Sequence, residues 1–70
     1  MKPKDNYLVT DNGSVRVLSG EIYDNTWNLI FTPKNNLEFR EFIDRVEQEE
    51  QTKGHLSQAD LDVIVAEFST

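Results

Sequence analysis

The pattern of the chain changes at Thr32-Pro33. Before that point, residues 7–32 are rich in Val, Ile, Leu, Tyr, Trp and Thr and are broken by Asn, Gly and Asp. That is the mark of short strands joined by turns. After it, apolar residues recur every three or four positions, the spacing of one helix face. Seventy residues allow one sheet layer and one helix layer and little else. The expected fold is therefore α+β in two layers: a three-stranded antiparallel β-meander followed by two helices packed on one face, in the order βββαα. One domain spans residues 1–70, with a flexible N-terminus at 1–6, the meander at 7–32, and helices at 35–53 and 57–69.

Asn12-Gly13 is a strong hairpin signal, because both residues tolerate the positive φ that a type I′ turn requires. A two-residue loop there sets Val9 opposite Arg16, Leu8 opposite Val17 and Tyr7 opposite Leu18. A second two-residue turn at Asp24-Asn25 sets Ile22 opposite Trp27, Gly20 opposite Leu29 and Leu18 opposite Phe31. Paired residues share a face and neighbours alternate. One face then carries Tyr7, Val9, Leu18, Ile22, Trp27, Leu29 and Phe31, with Arg16 and Gly20, and is the expected core face. The other carries Leu8, Thr10, Val15, Val17, Ser19, Glu21, Tyr23, Asn28, Ile30 and Thr32. A bulge at Ser19-Gly20 is the main threat to this register.

In the second half, Asn35-x-x-Glu38 fits a capping box, with Thr32-Pro33 as an alternative start one turn earlier. Phe39, Phe42, Ile43 and Val46 mark one stripe, Glu41–Arg45 is a favourable four-residue pair, and Gly54 suits the helix end. Ser57-x-x-Asp60 is a second capping box. Leu56 and Leu61 have the spacing of a hydrophobic staple, and Leu61, Ile64, Val65 and Phe68 continue the stripe.

The chemistry-bearing residues are few. There is no Cys, which excludes disulfides, thiolate zinc sites and a thiol nucleophile. His55, the single His, lies in the link between helices and reads as a turn residue. A His55, Ser57, Asp60 group can be written down, but the Ser is better used as a cap and no oxyanion donors are evident. The acids lack the alternating pattern of a calcium loop, and Gly13, Gly20 and Gly54 form no phosphate-binding loop. Trp27 and Tyr23 flank the second turn with only Arg16 and Lys34 as basic neighbours, too few for a nucleic-acid platform. No catalytic residue, metal or cofactor is expected.

Charge divides the chain as sharply as periodicity does. Residues 1–34 balance four acids with four bases, whereas residues 35–70 hold nine acids and three bases and so carry the whole net charge of −6. That balance disfavours phosphate or anionic-membrane binding. The N-terminus lacks an apolar run, so a cytoplasmic location is expected. Two surfaces remain as places of action. The uncovered sheet face, with Leu8, Val15, Val17, Ile30 and Tyr23, suits a protein partner, and a homodimer through that face is a natural corollary. The acidic helices, with Glu47, Glu49, Glu50, Asp60 and Asp62, suit a nucleic-acid mimic that blocks a DNA- or RNA-binding protein, or act only as a solubilising surface. The primary expectation is a non-enzymatic regulator or adaptor of bacterial or phage type; the alternative is the acidic mimic.

Overall fold

The structure, a computed structural model, describes residues 8–69. The pairing expected for Tyr7 and the flexible segment 1–6 lie outside the described residues. Four strands, β1 (Leu8–Val9), β2 (Val15–Leu18), β3 (Glu21–Asp24) and β4 (Leu29–Phe31), precede two helices, α1 (Asn36–Lys53) and α2 (Gln58–Phe68). The strands form one antiparallel sheet in the order β1-β2-β3-β4, so the α+β architecture stands with one strand more than the meander expected.

The extra strand comes from a turn at Ser19-Gly20. Both residues have positive φ, 55° for Ser19 and 78° for Gly20, as a type I′ hairpin turn demands. Leu18 therefore pairs with Glu21, and Val17 with Ile22. In one continuous strand Val17 and Ile22 would lie on opposite faces; across this turn they share one. The expected core face is thus wrong for much of its length. Val15, Val17 and Ile22 are buried together, while Val9 and Leu29 are exposed. Trp27 and Leu18 are half-buried rather than core residues.

The first hairpin keeps its expected register, Leu8 with Val17 and Val9 with Arg16. Its turn type differs. Gly13 has φ 75° but Asn12 is not in the left-handed region, and the Gly13 N–H donates to the Thr10 carbonyl at 2.8 Å. This is a turn over Thr10–Gly13 inside a longer loop, not a two-residue type I′ turn.

The last hairpin does not turn at Asp24-Asn25 as a two-residue loop. Its loop is Asn25-Thr26-Trp27, closed by Asp24 N–H to the Asn28 carbonyl at 3.0 Å, with Trp27 at φ 65°. The Asp24 carboxylate holds it by accepting from Thr26 N, Thr26 Oγ1 and Asn28 N at 2.8–2.9 Å. Beyond it, a register shift in β4 leaves Tyr23 opposite Leu29 and Ile22 opposite Phe31.

Both helices begin on their caps. The Asn35 side chain accepts from Glu38 N at 2.8 Å, and Glu38 Oε1 accepts from Lys34 N rather than Asn35 N. Ser57 and Asp60 form a complete capping box. α1 stops before Gly54, whose N–H donates to the Glu50 carbonyl at 2.8 Å. The core joins Val15, Val17 and Ile22 of the sheet to Phe42, Val46, Leu56, Leu61 and Ile64 of the helical layer. At its end Phe42 stacks on Phe31, with ring centroids 4.5 Å apart, and meets Phe68 edge-on at 5.2 Å.

Candidate docking groove

The four strands are short, and β1 has only two residues. Among the described residues, a recess opens between this edge of the sheet and α1. Leu8, Val9, Thr10 and Val17 line it from the sheet; Phe39, Ile43 and Glu47 line it from α1, around a cavity of about 200 Å3. A neighbouring recess of about 390 Å3 shares Leu8, Val17 and Phe39 and continues past the Ser19-Gly20 turn to Pro33, Asn35 and Asn36. Together they form one groove along α1. Leu8 is 61% exposed and Val9 46%, beside half-buried Phe39 and Ile43.

The end of the groove at Glu47 is acidic. Burial first, then the nearby charges of Asp11, Asp44 and Glu50, push the Glu47 carboxyl above its ordinary value of 4.5. Asp11 and Asp44 are exposed there. Glu50 is different: it is 2% exposed and serves as a clamp. Its Oε2 accepts from Thr10 Oγ1 at 2.9 Å and from Ser14 N at 3.0 Å, and its carbonyl accepts from Asn12 Nδ2 at 3.2 Å. Ser14 Oγ in turn accepts from Leu56 N at 2.8 Å. The first hairpin is thereby fixed to the end of α1, and with it the sheet wall of the groove.

The sequence reading gathered Leu8, Val15, Val17, Ile30 and Tyr23 on one open face. The structure divides them. Val15 is fully buried and Val17 7% exposed under the helices, because the Ser19-Gly20 turn reverses their face. Ile30 packs half-buried against the core. Leu8 and Val17 do meet, as wall and floor of the groove. Tyr23 lies on the other side of the sheet, 5.4 Å from Trp27, with Arg16 over the indole at 5.1 Å; its hydroxyl donates to Glu21 at 3.0 Å, which raises the phenol's pKa.

The acidic set is divided too. Glu50 is not on the surface at all. Glu49 pairs with Arg45 at 2.8 Å and Lys53 at 3.3 Å, and those bonds hold its carboxyl below the usual range. Asp60 is held low by its Ser57 hydrogen bonds and by Lys53 at 3.2 Å. Asp62 is exposed and accepts from Gln58. Arg45 does not form the pair expected with Glu41; it reaches across to Glu67 of α2 at 3.0 Å. His55 Nε2 faces Asn25 Nδ2 at 3.2 Å, whereas Ser57 and Asp60 are engaged with each other as a cap. Among the described residues no cluster of three or more His, Asp or Glu could hold a metal ion, and no helix is long and apolar enough to cross a membrane.

Sequence reasoning missed Phe39 and Ile43 as groove walls, since it placed their stripe wholly in the core. It also missed the buried role of Glu50. The signal for Glu50 was present: it continues the Phe42, Val46 stripe by one more four-residue step. Fold and groove together define a small two-layer α+β protein with an open recess beside an edge strand. Comparison with protein-family models, with curated proteins and with solved structures finds no match.

Proposed function

We propose that this chain is a non-enzymatic protein-interaction module, a regulator or adaptor that holds a partner protein in the groove between β1 and α1. The observation that carries this reading is the groove itself: exposed Leu8, on the same face as Val17, stands beside half-buried Phe39 and Ile43 around an open recess. Contiguous apolar surface of this kind, rimmed by polar side chains, is what protein contacts cover. The recess replaces the open sheet face as the contact surface, because Val15 and Val17 are spent on the core. The acidic-mimic reading requires an array of free carboxylates. Burial of Glu50 and the pairing of Glu49 and Asp60 leave it with little support.

Site-specific photocrosslinking in the native host tests the proposal. A photoreactive residue at Ile43 should give discrete crosslinked species, and one at Asp62 should not. The Ile43 crosslinks should disappear in Leu8→Glu protein whose circular dichroism is unchanged. Crosslinks of equal yield from both positions, or their survival in Leu8→Glu, would overturn the groove as the contact site.

A further inference from the structure

The groove is apolar at its middle, where Leu8, Val17, Phe39 and Ile43 line it, polar but uncharged at the Asn35-Asn36 end and acidic at the Glu47 end, and this asymmetry specifies what fits it. We infer that the occupant is an extended segment of a partner protein, apolar at its centre and carrying a Lys or Arg that docks beside Glu47, Asp11 and Asp44. The inference rests on the groove being the contact site and adds the chemistry of what binds there.

Length comes first. From Asn35 to Glu47 the groove follows α1 for about 18 Å, at about 1.5 Å per helical residue. A chain in extended form covers that distance with about five or six residues. Alternate side chains of such a segment point the same way, so two or three of them enter the recess against Leu8, Val17, Phe39 and Ile43. The two cavities share Leu8, Val17 and Phe39, so one continuous segment can pass through both.

Charge comes second. Glu47 lines the recess itself, and the charged groups among the described residues that act on it are carboxylates: Asp11 from the first hairpin, Asp44 from its own helix, and buried Glu50. The cations of α1 are directed elsewhere. Arg45 and Lys53 are engaged with Glu49, Glu67 and Asp60, and Arg40 is exposed nearly two turns before Glu47. Burial and these like charges disfavour the ionised form of Glu47. A cationic side chain placed beside it relieves that repulsion on binding, which is the complementarity that steers and orients a partner. An acidic or neutral segment gains nothing at this end.

The test uses the full chain, labelled with 15N, and three eight-residue peptides. Each has the same four-residue Val/Leu centre, flanked on both sides by Lys, by Ser or by Glu. The Lys peptide should shift the amides of Leu8, Val9, Phe39, Ile43 and Glu47, and its affinity should fall as salt is raised from 50 to 500 mM. The Glu peptide should leave them unmoved. Glu47→Gln should weaken the Lys peptide about two- to fivefold, the range of one exposed ion pair, and leave the Ser peptide unchanged. Equal binding of all three peptides in the groove would overturn the cationic occupant while leaving the groove as a contact site. No groove shifts with any peptide would overturn both. Concentration-dependent groove shifts without peptide would assign the site to a second copy of this chain. Groove shifts on replacing Lys2 and Lys4 by Ser, again without peptide, would assign it to the chain's own N-terminal segment. Either of these last two results also overturns the inference.

Discussion

Glu50 is the residue on which the hairpin depends. Replacing it with Gln keeps the shape but removes the charge; the amide oxygen can still accept from Thr10 and Ser14, but the N–H2 then faces the Asn12 N–H, which Glu50 Oε1 accepts at 3.4 Å. Such losses at a buried site cost about 1–3 kcal/mol. Glu50→Gln should therefore lower urea stability by about 2 kcal/mol, and Thr10→Val, which removes only the hydroxyl, by less. A change for Glu50→Gln within error of zero would show that the clamp is dispensable. Glu47 should behave in the opposite way. Its folded pKa is raised by burial and by Asp11, Asp44 and Glu50, so ionising it costs stability as pH rises past the ordinary value of 4.5. Glu47→Gln should raise the melting temperature at pH 7, and the gain should vanish at pH 3.5. Asp24 has the other sign. Burial raises its pKa, but the bonds from Asn28 and Thr26 outweigh burial and hold the carboxyl below its ordinary value of 3.8. Its contribution is present above that value and lost as pH falls through the lower folded value. Asp24→Asn should accordingly flatten the acid limb of the stability profile, measured by thermal melts between pH 2 and 5.

The hairpin turns are where element-scale design is least ideal. Ser19 sits at φ 55°, a conformation that costs a side chain with no special aptitude for it about 1 kcal/mol, whereas Asn tolerates it better. Ser19→Asn would create the favoured Asn-Gly pair for this turn type and should stabilise the protein by about 0.5 kcal/mol, read from chemical denaturation. A loss of stability instead would contradict the type I′ assignment. The same turn explains why strand count was not legible. Ser-Gly between Leu18 and Glu21 carries no strong hairpin signal, and the run Val15–Tyr23 reads as one strand with a possible kink. The helices were legible to within a residue or two. Asn35 and Ser57 caps, the acids three residues later and Gly54 are all local signals, with partners no more than four residues apart.

At the scale of the molecule, little redundancy exists. Among the described residues the buried apolar set is eight residues, drawn from both layers, and Phe42 lies fully buried among Phe31, Phe68 and the sheet. Phe→Ala at such a site removes about 3–5 kcal/mol. That is comparable to all that a domain of this size holds in reserve. Phe42→Ala should abolish the cooperative thermal transition in circular dichroism at 25 °C and above. A sharp transition within 5 °C of the parent would mean that stability resides elsewhere. The groove follows from the same economy: among the described residues, four short strands and two helices leave a recess between β1 and α1.

By itself the sequence determined the class of fold, the position and caps of both helices, the register of the first hairpin and the concentration of negative charge after residue 34. These depend on periodicity and on partners a few residues apart. Tertiary structure alone decided which sheet face is buried, what Glu50 clamps and what walls the groove. The Ser19-Gly20 turn brings Val17 opposite Ile22, and the clamp joins Ser14 to Glu50, 36 residues away. No local preference encodes such contacts. They form because one burial of the apolar stripes satisfies packing and the buried carboxylate together, and that choice is made only when both halves of the chain meet.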